Sequence, residues 1–525
     1  MCGFMFSSDV SLTRSEFEEG FKQIAYRGPD MSRIIADENG LFGFHRLAIM
    51  GREPNGMQPF TRNGYTLVCN GELYGFRKIK KQLGHKYLFV SGSDCELIIP
   101  WFMEKGLDMF KEFDAEFACV LTTPQGDIIA ARDPFGIRPM FYGYALKSGK
   151  IMFASEAKAL HDLCSDVFPF PCGHYYYNGT FYCYRDIAQA SEFIHSDVDT
   201  IATELKIRLI DAVNKRNDAD APIGYLLSGG LDSSLVCALA AKCSKKPIQT
   251  FAIGMEKDAI DLKYAKEVAD YIGSDHHEVI ITSDEVLKAL PQVIKILETW
   301  DITTIRASIG MYLLCKWIRH NTDIKVIFTG EISDELFGYK YTDFAPNPIE
   351  FQKEAQKRVS ELFMYDVLRA DRCISANGLE GRVPFGDLAF ADYVMSIDPV
   401  IKMNNYHMGK YLLRHAFEGD TLPSDILFRD KAAFSDAVGH SLVDDLKAYA
   451  EKQYDEAAFK AGCAKYDYHA PYTKESLLYR DIFESYYPNR AGLIKDYWLP
   501  NQSWQGCQVS DPSARYLSNY GKSGE

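Results

Sequence analysis

The sequence predicts two domains of different fold class: an α+β sandwich over residues 1–190, then an α/β domain with a parallel sheet over residues 200–525. At 525 residues the chain exceeds the size at which one hydrophobic core is usual. Its first part shows short apolar segments between turn residues, whereas its second part alternates strand and helix patterns. Residues 185–200 are polar and lack a hydrophobic period, so we place the boundary there.

The N-terminal segments read as strands because each apolar run is short and is bounded by Gly, Asn, Asp or Pro. Strands are predicted at residues 3–6, 32–35, 41–49, 65–69, 117–122, 127–131, 140–144 and 151–154. Helical spacing interrupts them at residues 75–83 and 94–105. Strands and helices that do not strictly alternate are typical of an α+β sandwich.

The C-terminal segments alternate, which is typical of a parallel sheet with helices on both faces. Strands are predicted at residues 223–227, 247–254, 276–282 and 324–329. Helices are predicted at residues 201–214, from 233 onward, and at 262–272, 283–298 and 305–320. Since ligands bind such sheets at the carboxyl ends of strands, the loops after three of these strands should converge on one ligand.

The turn after the first of these strands has the composition of a phosphate-binding loop. It reads I-G-Y-L-L-S-G-G-L-D-S-S over residues 223–234. Gly229 and Gly230 allow close backbone approach, and Ser228, Ser233 and Ser234 lie at the start of the helix, whose N–H groups are donors. Strand, S-G-G-x-D-S-[ST] and helix in that order favour phosphate binding over an ordinary capped turn; no G-K-[ST] follows. Asp232 beside a polyphosphate implies a cation such as Mg²⁺ between them.

A second acidic segment, T-G-E-I-S-D-E-L-F-G, follows the strand predicted at residues 324–329. Glu331, Asp334 and Glu335 would be costly to desolvate there without a cation or donors. The plainer interpretation is a solvated acidic helix start. We take Asp232 and Asp334 as the candidate magnesium ligands.

Composition excludes several other classes of protein. A net charge of −14 and a pI near 5.4 argue against a nucleic-acid surface. Thirteen Cys without a C-x-x-C pair fit a reducing compartment. No signal peptide and no apolar stretch of about 18 residues is found, so we expect a cytoplasmic protein without a membrane span.

Cys2 is the most informative single residue of the first domain. If Met1 is removed, Cys2 carries a thiol and the free α-amine, whose ordinary pKa of about 7.7–8.0 suits a general base. Taken alone, a Cys after the initiator Met is more often an inert thiol.

Six fragments in order change that interpretation, because together they resemble the glutaminase domain of N-terminal-nucleophile amidotransferases, an αββα sandwich. The fragments are M-C-G-F at 1–4, R-G-P-D at 27–30, H-R-L-A-I at 45–49, N-G-E-L-Y at 70–74, S-D-C-E at 93–96 and R-D-P-F-G at 132–136. The resemblance implies that Cys2 attacks the glutamine amide and that Asn70 and Gly71 stabilise the oxyanion. It also implies a glutamine pocket. The residues of this sequence that match the family's pocket are Arg46, Leu47, Ala48, Ile49, Met50, Asn70, Gly71, Glu72 and Asp94. Two plainer interpretations are a hairpin turn at N-G and a surface ion pair at R-D.

The loop at residues 228–234 is similar to the pyrophosphate loop of enzymes that split ATP between its α- and β-phosphates. Together with the six fragments, this loop makes the whole chain resemble the glutamine-hydrolysing asparagine synthetases. That resemblance extends to D-P-S-A-R at 511–515. It implies an ATP-pyrophosphatase-like second domain, ATP as substrate and a β-aspartyl-AMP intermediate formed with Glu331. It further implies glutamine and aspartate as substrates, and it leaves a homodimer open. The implied ATP residues are Leu226, Ser228, Gly229, Gly230, Asp232, Ser233, Ser234, Ile253, Thr329, Gly330 and Lys431. Thr303 and Arg306 are the implied aspartate residues.

Three positions depart from the family pattern. Thr329 replaces Ser, Ile332 replaces Gly, and only Gly338 stands where two glycines are usual. A β-branched residue at position 332 disfavours a positive φ angle. Of the residue roles that the resemblance implies, the geometry of Glu331 is therefore the one that this sequence supports least.

Two rival functions stay open. One is another amidotransferase or acyl-adenylating cyclase with a different carboxylate acceptor. The other is a silent binding or sensor protein that keeps the fold; such a protein should have lost a nucleophile, a loop or an acid, and all of them are present here.

Overall fold

The computed structural model describes residues 1–257, 259–430 and 438–520. Its first part contains two antiparallel six-stranded sheets, with strand orders β10-β8-β9-β1-β3-β2 and β12-β11-β7-β6-β5-β4. Their strands are β1 Gly3–Ser7, β2 Met31–Asp37, β3 Gly40–Arg46, β4 Phe60–Arg62, β5 Tyr65–Leu73, β6 Ala115–Thr122, β7 Ile128–Arg132, β8 Phe141–Ala145, β9 Ile151–Ala154, β10 Cys164–Pro169, β11 His174–Tyr177 and β12 Thr180–Cys183. The helices of this part are α1 Arg14–Lys22, α2 Phe76–Leu83, α3 Ile98–Lys105 and α4 Met109–Glu112.

The two sheets pack face to face over one apolar layer. Phe4, Phe44, Val68, Val120 and Phe153 belong to this layer, and each is fully buried. Helix α1 packs on the outer face of the first sheet and α3 on the outer face of the second. The predicted αββα sandwich is therefore confirmed.

The second part contains one parallel five-stranded sheet with strand order β15-β14-β13-β16-β17. Its strands are β13 Ile223–Leu226, β14 Gln249–Met255, β15 Asp275–Ile281, β16 Val326–Phe328 and β17 Glu380–Arg382. The helices around it are α5 Val198–Arg216, α6 Leu231–Cys243, α7 Ile260–Ile272, α8 Ser283–Leu297, α9 Ile302–Asn321, α10 Ser333–Phe337, α11 Pro348–Glu361, α12 Asp366–Ser375, α13 Leu388–Ser396, α14 Pro399–Lys402, α15 Tyr411–Ala416, α16 Ser424–Leu427, α17 His440–Gln453, α18 Glu456–Cys463 and α19 Lys474–Tyr486.

Helices cover both faces of this sheet, as the alternating pattern predicts. α5, α6 and α7 share one apolar cluster with β13, and α8 and α9 share another with the side chains of Phe251 and Ile253 on β14. Strand β17 was not predicted, because three residues are too few to show a period of two. None of the helices in the described part of the chain combines the length and apolar character needed to cross a membrane.

Candidate active site

Cys2 lies immediately before β1, and its thiol is partly buried. The backbone N–H of Leu47 approaches its Sγ at 3.4 Å, and burial raises the pKa of the thiol above 9.0. Met1 precedes Cys2 in the structure, and its ammonium group donates to the carbonyl of Leu379 at 2.7 Å. The α-nitrogen of Cys2 is here part of a peptide bond, so the free α-amine stays a prediction.

Asn70 and Gly71 lie inside strand β5 and not in a hairpin turn. Asn70 is 2% exposed, and its Nδ2 has no hydrogen-bond partner among the residues that the structure describes. A buried donor without an acceptor costs about 1–3 kcal/mol. Such a group suits an oxyanion hole, because its acceptor then arrives with the reacting substrate.

Arg46 ends strand β3 beside the predicted pocket segment, residues 47–50, all of which are buried. Its guanidinium donates to backbone carbonyls only, to Glu53 at 2.7 Å and to Gly51 at 2.5 Å. Within the described part of the chain, no carboxylate forms an ion pair with it. A buried guanidinium without an acidic partner is suited to a substrate carboxylate.

Asp94 and Glu72 are both buried next to these residues. Asp94 Oδ2 accepts from the N–H of Leu73 at 2.9 Å, and burial raises the pKa of Asp94 above 3.8. Glu72 lies 3.1 Å from Arg382, yet its burial outweighs that cation and keeps the pKa of Glu72 well above 4.5. Glu72 is therefore tied to β17 of the second part, which the sequence did not predict.

The segment R-D-P-F-G has a structural role. Asp133 is 1% exposed, and it accepts from the backbone N–H groups of Phe135, Ile137 and Arg138 at 2.9–3.1 Å. The interpretation of R-D as a surface ion pair is wrong, because both residues are buried.

A cavity of about 280 Å³ lies at the carboxyl ends of the parallel strands. The loops that follow β13 and β16 line it, as predicted from strand order, whereas β14 contributes Phe251, Ala252 and Ile253 from within the strand and not the loop that follows it. The predicted ATP residues along its wall are Leu226, Ser228, Gly230, Asp232, Ser233, Ile253, Thr329 and Gly330. Gly229 and Ser234 lie behind the wall, and Lys431 falls outside the described residues.

The loop after β13 is shaped by its own hydroxyl groups. Ser228 Oγ lies 3.0 Å from Ser233 Oγ, and the N–H of Gly230 donates to Ser228 Oγ at 3.3 Å. Gly229 has φ 73°, and a Cβ there would lie 2.5 Å from the nitrogen of Ala265. Glycine is therefore required for the conformation and for the packing on α7.

Glu331 follows β16, and its carboxylate accepts from Arg369 on α12 at 2.6 Å. Burial raises the pKa of Glu331 to about 7, although the positive charge of Arg369 acts to lower it. The next residue, Ile332, has φ 79° and ψ −22°, so it keeps the left-handed conformation that glycine adopts most readily. Ile332 thus adopts a positive φ although a β-branched residue disfavours it, and its side chain is buried and held by packing.

Lys410 was not predicted, although it lies in the middle of the site. Its Nζ donates to Asp232 at 2.7 Å and lies 2.7 Å from Asp334, which places one ammonium group between the two candidate magnesium ligands. Only the tertiary structure brings G-K at residues 409–410 beside the phosphate loop. Arg369 and Arg429 also line the cavity and were not assigned.

Thr303 and Arg306 both line the cavity from α9. Arg306 is 3% exposed and already holds two carboxylates, Glu475 at 2.5 Å and Asp511 at 3.0 Å. The C-terminal segment that carries Asp511 thus closes one side of the cavity through this ion pair.

Known proteins match both parts of the chain. A family model described as asparagine synthase matches residues 204–349 and 343–511, and one described as a glutamine amidotransferase domain matches residues 1–200. The chain is 40% identical to proteins named asparagine synthetase [glutamine-hydrolyzing] from Gallus gallus, Mus musculus and Homo sapiens. Each alignment covers 99% of this chain and 99% of the relative. The chain therefore belongs to the family of glutamine-hydrolysing asparagine synthetases.

Proposed function

We propose that the protein makes asparagine from aspartate with nitrogen taken from glutamine, converting ATP to AMP and pyrophosphate. The observation that carries this proposal is that one chain holds two built sites. Among the described residues, Asn70 is a buried amide whose Nδ2 has no hydrogen-bond partner, and Arg46 is a buried guanidinium that forms no ion pair; the phosphate-loop cavity contains Glu331, whose pKa burial raises to about 7. Family membership supports both activities.

In the first half-reaction, the thiolate of Cys2 attacks the glutamine side-chain amide and forms a thioester. Asn70 Nδ2 and the N–H of Gly71 donate to the oxyanion of the tetrahedral intermediate. Arg46 binds the glutamine α-carboxylate, and Asp94 and Glu72 face its ammonium group. The proton that the thiol gives up to the free α-amine of Cys2 passes to the amide nitrogen, which leaves as ammonia, and water then hydrolyses the thioester to glutamate and regenerates the thiol.

In the second half-reaction, the aspartate β-carboxylate attacks the α-phosphorus of ATP, and pyrophosphate leaves. The loop at residues 228–234 holds the phosphates, while Leu226, Ile253, Thr329 and Gly330 hold the adenosine part. Thr303 and Arg306 orient aspartate, with Glu331 beside the acyl group. Ammonia then attacks the β-acyl carbon, and AMP leaves as asparagine forms.

Asp232 and Asp334 fit a magnesium ion by their chemistry. Both supply carboxylate oxygens, the ligand that Mg²⁺ prefers, and both already converge on one cation, the ammonium group of Lys410. Bound there, Mg²⁺ would neutralise charge on the departing pyrophosphate. Lys410 supplies a second positive charge to the same phosphates, and Lys431 is proposed to do so from outside the described residues.

We also propose a domain boundary between residues 190 and 200, where an extended segment joins β12 to α5. A cytoplasmic location is proposed from the thirteen Cys, all of which are free thiols in the structure. A homodimer stays open.

The test is product analysis with ATP, Mg²⁺, aspartate and amide-labelled glutamine. We expect labelled asparagine, AMP and pyrophosphate in equal amounts. Glutamate without asparagine would refute the second half-reaction while leaving the first. Equal pyrophosphate release with other carboxylic acids would instead assign a different acceptor.

A further inference from the structure

Helix α12 carries charged side chains toward both sites. On the synthetase side, Arg369 and Asp366 line the cavity, and Arg369 donates to Glu331 at 2.6 Å. Two residues later, Asp371 faces the N-terminal part of the chain. Residues i and i+2 of a helix point about 200° apart, so one short rigid segment reaches in two directions.

On the glutaminase side, Asp371 forms a bidentate ion pair with Arg27. The two bonds measure 2.8 and 2.9 Å, and Ser375 Oγ accepts from the same guanidinium at 3.1 Å. Nη1 of Arg27 also donates to Glu156 at 2.5 Å, and its Nε donates to the carbonyl of Cys2 at 2.9 Å. Arg27 thus connects the backbone of the nucleophile to helix α12.

This connection is fully buried and joins residues far apart in the chain. The side chains of Arg27 and Asp371 are 0% and 2% exposed, and 344 residues separate them. In such a site neither partner can exchange its bond for water, so a displacement of one must displace the other. Cys2 and Glu331 are consequently linked through Arg27, Asp371, about half a turn of helix and Arg369.

We propose that Asp371 is a positioning residue that couples glutamine hydrolysis to synthesis. When the acyl-adenylate forms, its contacts with Glu331 and Arg369 fix α12, and Asp371 then fixes Arg27 and the backbone of Cys2. Ammonia is released chiefly when an acceptor is ready. This inference rests on the proposed function.

The experiment measures three quantities in the full-length protein. These are glutamate released from glutamine alone, pyrophosphate released with ATP, aspartate and ammonia, and asparagine formed per glutamine hydrolysed with all substrates. In Asp371→Asn we expect the first two rates to stay within about twofold of wild type, since Asp371 contacts neither substrate. The asparagine per glutamine should fall about fivefold, the lower end of a typical coupling between two sites.

Two further variants keep the test decisive. Ser375→Ala removes a milder contact on the same guanidinium and should lower the ratio about twofold. Glu354→Gln is the matched control: it alters an equally buried carboxylate that accepts from Arg358 at 2.8 Å and belongs to neither ion pair of Arg27. We expect it to keep the wild-type ratio.

The proposal is overturned if Asp371→Asn keeps the wild-type ratio, or if Glu354→Gln loses as much. Loss of both half-reactions in Asp371→Asn alone would also overturn it, because the residue would then be needed by each site itself. A wild-type protein that makes no asparagine from ammonia would refute the proposed function instead.

Discussion

At Ile332 we expect Gly to be a more stable replacement than Ala, which is the reverse of the order at ordinary helical positions. Ile332 is a β-branched residue at φ 79°, and it is 1% exposed. A Cβ placed on Gly386 would lie 2.8 Å from Ile332 Cδ1 and 3.0 Å from Ile137 Cδ1, so both methyl groups pack where Gly386 lacks a side chain. Burial of the Ile332 side chain thus offsets the strain of its backbone.

The magnitude follows from comparing Ala with Gly at this position. Both substitutions remove the buried side chain, at a cost of about 2–5 kcal/mol. Ala keeps a left-handed strain of roughly 1–2 kcal/mol, which Gly does not have. At ordinary helical positions Gly is less stable than Ala by about 0.5–1 kcal/mol. We therefore expect Ile332→Gly to be more stable than Ile332→Ala by about 0.5–1 kcal/mol.

The assay is urea unfolding of each variant, with the matched pair Ile309→Ala and Ile309→Gly. Ile309 is fully buried in the middle of α9, where Ala should be the more stable replacement. The sign of the Ala-to-Gly difference should reverse between positions 332 and 309. If Gly is the less stable replacement at both positions, the left-handed strain at residue 332 does not exist as argued.

Three other changes separate the two sites, and a fourth tests the pH dependence of stability. Cys2→Ala should abolish glutamate release and spare asparagine synthesis from ammonia; amino-acid analysis that finds both lost would assign Cys2 a folding role. Glu331→Gln should lower pyrophosphate release by ~100-fold or more while glutamine hydrolysis continues, and a normal rate would exclude Glu331 from the chemistry. Gly229→Ala should also stop pyrophosphate release, because its Cβ would clash with the backbone of α7 at 2.5 Å; full activity would contradict that packing. Burial raises the pKa of Asp511, but the hydrogen bonds and positive charge of Arg306, together with the hydrogen bonds from Lys447 and the N–H of Ser513, outweigh it and lower the pKa from 3.8 to about 2. The stability that Asp511 contributes is complete above pH 3.8 and is lost as the pH falls through about 2. We therefore expect Asp511→Asn to be less stable than wild type at pH 7. In urea titrations, this difference in stability should shrink below pH 4.

The sequence predicted many strands of the fold because their signals are local, but it predicted neither α1, β4 and α4 nor any helix after α10. Strand 151–154 has its predicted bounds, and Ile223–Leu226 precedes a helix that starts at Leu231, two residues earlier than expected. Alternation of strand and helix predicted the parallel sheet, since only crossover connections produce that order. The strands after residue 160 and β17 were missed because they are short or weakly periodic.

The sequence by itself determined the chemistry that lies within short segments: the phosphate loop, the thiol at Cys2 and the amide at Asn70. Only the tertiary structure decided how those segments are partnered. It places Lys410 between Asp232 and Asp334 and pairs Arg306 with Asp511, and within the described ranges it gives Arg46 no acidic partner. It also directs α12 toward both Cys2 and Glu331. The physical reason is that turn chemistry and hydrophobic period depend on neighbours in the chain, whereas ion pairs between residues hundreds of positions apart depend on how the elements pack.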